Sequence, residues 1–323
     1  MQLDTASLSA VDPALAQCLE RFARLDAQTA TPNLTYAQRR RHLSELQAQL
    51  LRTQALSGIA RHDHFVPADG REINVRSYAP AACTTGQTLV WLHGGGWMVG
   101  SLNTHDDLCE HLALYTGYTV LSVHYRRTPD NVFPAPIDDA RAVLQWLYQM
   151  QGVLPCAQPQ VLLGGDSAGA HLALATAVDA IQHPAQNQAR LQALLLLYPC
   201  LVPAAHTESM RSFARGFGLT DTAMTQYWQD LGGEGHALRT PSLCTDALPH
   251  LPPMAIMTAS HDILRDEAED FARQLQAMPL GPRVHMQRAG GMVHGFARML
   301  SCSPAARQHV EAACNLLQQM VRA

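Results

Sequence analysis

Three side chains in the sequence have the chemistry that acyl transfer requires: Ser167, Asp262 and His294. A serine hydroxyl attacks a carbonyl carbon when a base removes its proton, and an imidazole serves as that base when a carboxylate orients it. The three residues occur in the order serine, acid, histidine, which is typical of enzymes whose nucleophile lies on a strand-to-helix turn. The sequence therefore predicts a serine nucleophile with a histidine base and an aspartate partner.

Ser167 lies where the sequence predicts a strand, a sharp turn and a helix. The apolar residues 161–163 lead into Gly-Gly-Asp-Ser-Ala-Gly at 164–169, and an alanine-rich run follows. Glycines two positions before and after the serine leave room for the strained backbone of such a turn, which exposes the hydroxyl. Ordinary turns can match the same pentapeptide, so the prediction depends on the two partners further along the chain. His171 is predicted to lie on the helix behind the serine and to be structural.

The two partners of the serine each follow a predicted strand. Asp262 lies beyond the apolar run 254–258, and His294 lies beyond the run 283–287. Because ligands bind outside the carboxyl ends of the strands in open α/β sheets, both side chains can reach the face that presents the serine. Asp266 is a rival for the acid, but its position favours the first turn of the next helix, where a carboxylate complements the helix dipole.

A run of glycines, His-Gly-Gly-Gly-Trp at 93–97, follows the predicted strand 88–92. Consecutive glycines leave backbone N–H groups uncovered, and such groups can bind the negative oxygen of a tetrahedral intermediate. A phosphate-binding loop is the competing interpretation, but no Lys-Ser or Lys-Thr follows the glycines. The pattern favours an oxyanion-binding loop.

Strand-like and helix-like segments alternate from residue 88 onward. This alternation predicts an α/β fold with a mostly parallel sheet and helices on both faces. The predicted strands are 88–92, 119–124, 161–164, 191–198, 254–258 and 283–287. The predicted helices are 106–115, 136–148, a run that starts at 168, 221–231, 267–278 and 304–321.

The chain is predicted to contain one α/β core and a helical cap. Residues 1–60 form the N-terminal segment of the cap, and residues 61–202 and 252–323 form the core. Residues 203–251 separate two core strands, and this stretch is too long for a simple connection. We expect it to fold over the carboxyl ends of the strands as a lid. The alternative is a surface excursion without a role in the site.

Composition and charge exclude several classes of protein. With 323 residues, of which 47% are apolar and 15% charged, the chain can bury a large core. A net charge of −4 and a pI near 6.4, without a long run of one sign, provide no field for binding nucleic acid or an anionic membrane. The chain shows neither a charged leader nor an apolar run of about 18 residues, so we expect a soluble cytoplasmic protein without a membrane span.

Neither the cysteines nor the histidines predict a metal site. No Cys-x-x-Cys occurs, so reduced, mostly structural thiols are expected rather than a zinc site or a disulfide framework. His62 and His64 flank Asp63, and His105 precedes Asp106, but neither group has a third partner. The cysteines are at positions 18, 83, 109, 156, 200, 244, 302 and 314.

Four motifs resemble those of the hormone-sensitive-lipase-type α/β-hydrolases. They are His-Gly-Gly-Gly-Trp at 93–97, Gly-Asp-Ser-Ala-Gly at 165–169, Asp-Ile-Leu-Arg-Asp-Glu at 262–267 and Val-His-Gly-Phe at 293–296. The match covers nearly the whole chain from about residue 90, and the stretches 100–106 and 165–175 are most similar to bacterial acetyl esterases. At 125–130 the chain has Tyr-Arg-Arg-Thr-Pro-Asp where the family usually has Tyr-Arg-Leu-Ala-Pro-Glu, a departure that concerns subfamily and substrate more than chemistry.

The resemblance implies a capped α/β-hydrolase fold and a serine carboxylesterase that needs no cofactor. The implied substrates are small-molecule esters with short acyl chains, from acetyl to butyryl, which react through an acyl-enzyme. The implied site residues are a catalytic triad of Ser167, Asp262 and His294, with the amides of Gly94, Gly95 and Ala168 as oxyanion donors.

Two aromatic residues are candidates for the walls of the acyl pocket. Trp97 follows the glycines directly, and Tyr198 ends the predicted strand 191–198. Their rings could restrict the space for the acyl chain, which would favour short esters. The alternative is that both rings pack into the core.

Other functions remain compatible with these motifs. An amidase or peptidase could use the same scaffold, and a non-catalytic binding protein could keep the fold. The sequence leaves open whether the chain is a monomer or a homo-oligomer.

Overall fold

The structure, a computed structural model, describes residues 2–29, 33–51, 55–81, 86–151, 153, 160–186 and 189–322. Two of the cysteines, Cys83 and Cys156, lie outside these ranges. The strands are β1 Gln2–Leu3, β2 Ile59–Ala68, β3 Arg71–Pro80, β4 Thr88–Leu92, β5 Thr119–Val123, β6 Gln160–Asp166, β7 Arg190–Leu197, β8 Phe217–Gly218, β9 Met254–His261 and β10 Val284–Val293. The helices are α1 Thr5–Leu8, α2 Pro13–Thr29, α3 Tyr36–Leu50, α4 Leu102–Thr116, α5 Ala135–Gln149, α6 Ala168–Gln182, α7 Glu208–Ser212, α8 Asp221–Leu231, α9 Arg265–Gln276 and α10 Pro304–Arg322.

Eight strands form one sheet in the order β10-β9-β7-β6-β4-β5-β3-β2. The pairs β2–β3 and β3–β5 are antiparallel, and the other pairs in this sheet are parallel. Helices connect the parallel strands, as crossover connections require. The predicted α/β fold with a mostly parallel sheet is therefore confirmed, and the carboxyl ends of β4, β6, β9 and β10 lie along the same edge.

Both faces of the sheet are buried, because successive strand residues point to opposite faces and both kinds are apolar. In β6, Leu163 packs in the core layer that contains Leu174 of α6. The preceding residue, Leu162, packs in the layer that contains Leu317 of α10. All four side chains are fully buried. Strand β6 is thus held from both sides, and this fixes the position where the strand ends at the turn that carries Ser167.

The helices cover the sheet with one apolar face each. The C-terminal helix α10 buries Ala306, Val310 and Leu317, whose spacings of four and seven residues place them on one side of the helix. Its charged and amide side chains lie mainly on the other side. Among the helices that the structure describes, none is long and apolar enough to cross a bilayer.

The N-terminal segment and the insertion between β7 and β9 contact each other. Strand β1 pairs antiparallel with β8, with Leu3 opposite Phe217. The hydroxyl of Tyr36 in α3 donates to Oδ1 of Asp230 in α8 at 3.0 Å. The two stretches that the sequence assigns to the cap are therefore joined by backbone and side-chain hydrogen bonds.

Candidate active site

Ser167, His294 and Asp262 form a continuous chain of hydrogen bonds. Oγ of Ser167 lies 2.8 Å from Nε2 of His294, and Nδ1 of His294 lies 2.7 Å from Oδ2 of Asp262. A proton on Nδ1 allows the ring to donate to the carboxylate and leaves Nε2 to accept from the serine hydroxyl. The structure thus brings together the three residues that the sequence singled out. Each of them directly follows the last residue of a strand.

Asp262 is oriented by a second hydrogen bond. The N–H of Leu264 donates to its Oδ1 at 3.0 Å, while Oδ2 faces His294. The Asp262 side chain is fully buried, so water does not compete for these bonds. The rival acid, Asp266, accepts instead from the N–H of Ser209 at 2.7 Å. The geometry therefore favours Asp262 as the partner of the imidazole.

The backbone of Ser167 is strained. Its φ of 54° and ψ of −121° lie in a region that non-glycine residues rarely adopt. The Ser167 N–H donates to the carbonyl of Leu197 at 2.9 Å, which helps to hold the turn. A side chain at Gly169 would collide with the carbonyl of Leu92, and one at Gly165 would collide with the backbone of Gly169. The turn therefore requires glycine at both positions.

Asp166, the residue before the nucleophile, is fully buried and contacts the glycine loop. The N–H of Gly94 donates to its Oδ1 at 3.0 Å, and Nε2 of His105 lies 3.3 Å from its Oδ2. Burial opposes ionisation of Asp166, but the nearby His105 and the Gly94 amide hold its pKa below the usual value. This corrects the expectation for Gly94, because an N–H directed at a carboxylate is not available to an oxyanion. Sequence reasoning missed the roles of Asp166 and His105. The signal for Asp166 was a carboxylate directly before Ser167.

The next two amides of the glycine loop are not committed in this way. Across the described ranges, the N–H groups of Gly95, Gly96 and Ala168 make no hydrogen bond. Gly95 and Gly96 have φ angles of 126° and 56°, which favour glycine. The ring of Tyr227 in α8 packs on Gly96 so closely that a Cβ there would lie 2.8 Å from the ring. Helix α8 of the insertion therefore covers this loop.

The two aromatic residues expected as pocket walls are buried by their neighbours. Nε1 of Trp97 donates to Nδ1 of His171 at 3.1 Å, and its ring lies 4.6 Å from the ring of Trp228 in α8. The ring of Tyr198 lies 5.0 Å from the imidazole of His294. Trp97 is 0% exposed and Tyr198 is 1% exposed. Neither ring presents surface to a ligand in this structure, so the alternative, packing into the core, describes both.

A cavity of about 160 Å³ lies between α8 of the insertion and the segment before α9. Val202, Met224, Trp228 and Leu264 contribute to its lining. Leu264 is the residue whose N–H orients Asp262, but the cavity lining does not include Ser167, Asp262 or His294. The signal that sequence reasoning missed was the four-residue spacing of Met224 and Trp228, which places both on one face of α8.

Another cavity lies away from this chemistry. It has a volume of about 560 Å³ and is lined by Arg190, His250 and Arg283, near the amino-terminal ends of β7, β9 and β10. The hydrogen-bonded serine, histidine and aspartate lie at the opposite edge of the sheet. Over the residues that the structure describes, no three histidine, cysteine, aspartate or glutamate side chains are grouped as metal ligands.

The chain is similar to known ester hydrolases. The sequence profile of the α/β-hydrolase fold family matches residues 89–298. Carboxylic ester hydrolase LipN of Mycobacterium tuberculosis is 35% identical over 247 residues, which are 73% of this chain and 64% of LipN. Ethyl acetate hydrolase of Pseudomonas putida is 29% identical over 78% of this chain and 80% of its own. The match thus spans just under two thirds of the length of LipN and 80% of the length of the ethyl acetate hydrolase.

A solved structure shares the whole architecture. The crystal structure of a thermostable esterase from Pseudomonas putida superposes with a TM-score of 0.84 and is 27% identical in sequence. The superposition covers 97% of this chain and 98% of that one. The likeness therefore includes the N-terminal segment and the insertion as well as the sheet.

Proposed function

The chain belongs to the hormone-sensitive-lipase-like α/β-hydrolases, among the carboxylic-ester hydrolases, and we propose that it hydrolyses short-chain acyl esters with Ser167 as the nucleophile. The observation that carries this proposal is the 2.8 Å contact between Oγ of Ser167 and Nε2 of His294, continued by the 2.7 Å contact with Asp262. A nucleophile within hydrogen-bond reach of a base that a third group orients is the arrangement that acyl transfer requires.

In the proposed reaction, Oγ of Ser167 attacks the ester carbonyl while Nε2 of His294 accepts the serine proton. Asp262 stabilises the resulting imidazolium through Nδ1–H. The tetrahedral intermediate then collapses: the bond between the carbonyl carbon and the ester oxygen breaks, and that oxygen takes the proton from His294. The alcohol departs, and the acyl group stays bound to Ser167 as an acyl-enzyme. Water then attacks the acyl group with the same histidine as the base, and the acid product is released. No cofactor takes part in these steps.

We assign the oxyanion to the amides of Ala168, Gly95 and Gly96. Their N–H groups are not directed at another acceptor within the described residues, whereas the N–H of Gly94 is directed at Asp166. Preorganised donors of this kind stabilise the charge that develops in the transition state. In this assignment Asp166 and Gly94 hold the loop, and the two following glycines bind the oxyanion.

We assign the acyl chain to the cavity that Met224 and Trp228 of α8 line, because α8 also covers the glycine loop through Tyr227. The volume of this cavity is about 160 Å³. The length that we propose for this acyl chain is acetyl to butyryl. The relative named ethyl acetate hydrolase is consistent with this range. We take residues 1–60 and 203–251 as one cap over a core of residues 61–202 and 252–323.

A p-nitrophenyl ester series from acetyl to decanoyl tests the proposed function. We expect the highest kcat/KM between acetyl and butyryl and a steep fall by octanoyl. A preference for decanoyl would contradict the short-acyl assignment and leave the ester chemistry intact. Failure to hydrolyse any ester in the series would contradict the function itself.

A further inference from the structure

Two cysteine sulfurs lie next to each other at the junction of the N-terminal segment and the core. Sγ of Cys18, in α2, is 2.9 Å from Sγ of Cys302, and the two residues are 284 positions apart in the sequence. Both are free thiols in this structure. The separation exceeds the length of a disulfide bond by only about 0.9 Å, so a small rotation of the side chains would bring the sulfurs into bonding distance.

Further hydrogen bonds join the segments on either side of this pair. The N–H of Asp12, just before α2, donates to the carbonyl of Gly291 at 2.8 Å. The hydroxyl of Ser303 donates to Oδ1 of Asp12 at 2.9 Å. Gly291 precedes His294 by three residues, and Ser303 follows Cys302. The start of α2 is therefore attached to the chain on both sides of His294, and the two sulfurs lie at the same junction.

We propose that Cys18 and Cys302 are a disulfide-forming pair that low-molecular-weight disulfides oxidise, and that the bond locks the N-terminal segment onto the loop that carries His294. This goes beyond the ester chemistry, which needs no thiol. It also departs from the sequence expectation of reduced, mostly structural thiols, because residues so far apart in sequence show no Cys-x-x-Cys or other local pattern.

The two thiols have different roles in forming the bond. Cys302 is partly exposed, whereas Cys18 is buried, so an oxidant reaches Cys302 first. A hydrogen bond from Cys18, and a further one from Ser301, lower the pKa of Cys302 to about 7 despite its partial burial. The same contact and burial raise the pKa of Cys18. Thiolate character and access together identify Cys302 as the attacking thiol.

The exchange balances with one small disulfide as the oxidant. The Cys302 thiolate attacks one sulfur of the small disulfide, forms a mixed disulfide and releases the first small thiol. The Cys18 sulfur, on losing its proton, then attacks the Cys302 sulfur and releases the second small thiol. Two protein thiols are oxidised to one disulfide, and the small disulfide is reduced to two thiols.

The other cysteines provide a matched control. Cys244 is half-buried like Cys302, but its Sγ contacts the carbonyl of Ala237 at 3.6 Å rather than another sulfur. Burial raises the pKa of the Cys244 thiol. A Cys244→Ser variant therefore removes an accessible thiol and leaves the proposed pair in place.

The experiment equilibrates the full chain with glutathione disulfide or with dithiothreitol, followed by thiol counting and peptide mapping without reduction. We expect the oxidised protein to lose two thiols, to lose about 2 Da in mass, and to yield one linked peptide that contains Cys18 and Cys302. Cys244→Ser should behave in the same way, whereas Cys302→Ser should retain its Cys18 thiol and form no linked peptide. Unchanged thiol counts, or a stable mixed disulfide at Cys302, would overturn the pairing.

Thermal unfolding tests the locking role separately. A bond that closes so long a loop should raise the Tm of the oxidised wild-type protein above that of the reduced protein by about 3 °C or more. In Cys302→Ser the two redox conditions should give the same Tm. A linked peptide without any rise in Tm would contradict the lock.

Discussion

The N–H of Gly94 donates to the carboxylate of Asp166 at 3.0 Å, so the residue before the nucleophile holds the start of the glycine loop. His105 approaches the other oxygen of the same carboxylate at 3.3 Å. The turn that presents Ser167 and the glycine loop to which we assign the oxyanion donors are therefore joined directly. The hydrogen bond occupies the amide of Gly94 and so positions the amides of the next two glycines.

Replacement of Asp166 should impair catalysis more than binding. In Asp166→Ala the Gly94 amide loses its acceptor, and the loop is free to shift by a fraction of an ångström. Since loss of one oxyanion donor costs about 10²–10³ in kcat, we expect roughly a 10- to 100-fold fall in kcat with little change in KM. Steady-state kinetics with p-nitrophenyl acetate provide the measurement.

Asp166→Asn is the matched control, because its amide oxygen can still accept from Gly94. It should keep more of the activity than the alanine variant. Equal losses in kcat for the two variants, in proteins of equal stability, would show that the hydrogen bond to Gly94 is not what matters.

Mutation should distinguish the roles of Asp262 and Asp266, the two aspartates of the 262–267 motif. Asp262→Asn removes the carboxylate that holds the imidazole, and we expect kcat to fall by about 10⁴ with the fold intact. Asp266→Asn weakens a contact with Ser209 and should act mainly on stability. Kinetics and thermal unfolding of both variants measure this; the reverse ranking of the kcat values would move the acid role to Asp266.

Glu267 should make the protein less stable as the pH rises. Its Oε1 accepts from the N–H of Leu201 at 2.7 Å, and burial raises its pKa to about 8 from an ordinary value of 4.5. Between these two pH values the folded state retains a proton that the unfolded chain releases. The free energy of unfolding therefore falls with rising pH, by up to about 1.4 kcal/mol per unit of pKa difference.

Glu267→Gln tests this contribution, since glutamine keeps the acceptor for Leu201 and carries no charge. We expect the variant to have a flatter pH profile in urea unfolding between pH 4.5 and 8 and to be more stable than wild type at pH 8. The exposed carboxyl of Glu208, changed to glutamine, is the control and should leave the slope unaltered. Parallel profiles for Glu267→Gln and wild type would rule out the buried proton.

Enlargement of the cavity that Met224 and Trp228 line should lengthen the preferred acyl chain. Met224→Ala removes a buried wall of the cavity, and each additional methylene that fits is worth about 0.8 kcal/mol, or roughly fourfold in kcat/KM. The ratio of hexanoyl to butyryl activity should therefore rise. Met286→Ala, on the exposed side of β10, should not change it. An unchanged ratio in Met224→Ala would place the acyl chain elsewhere.

The sequence predicted regular elements best where local pattern decides them. Strand β4 and helix α8 have the predicted bounds, 88–92 and 221–231. Strand β10 continues to Val293, well beyond the predicted end at 287, because its pairing with β9 resumes after an irregularity between Ala289 and Val293. The glycines at 290 and 291 resemble a strand end in sequence, and only the neighbouring strand shows that pairing continues.

The grouping of serine, acid and histidine was also predictable, since each follows an apolar strand. The direction in which a single N–H group or aromatic ring points could not be predicted from the sequence. Gly94 and Gly95 are equivalent in sequence, and only the buried position of Asp166 distinguishes them. Trp97 and Tyr198 depend on the partners that the fold places beside them, Trp228 and the imidazole of the active site.

The central claim, that Ser167 is the nucleophile, is tested most directly by labelling with a fluorophosphonate followed by peptide mass mapping. The reagent forms a stable bond only with a serine whose hydroxyl a neighbouring base activates. We predict one label per wild-type chain, on Ser167, with complete loss of esterase activity, and no label in Ser167→Ala, which should retain no more than about 10⁻⁴ of the wild-type kcat. Labelling of a different serine, or near-normal hydrolysis by purified Ser167→Ala, would contradict the account.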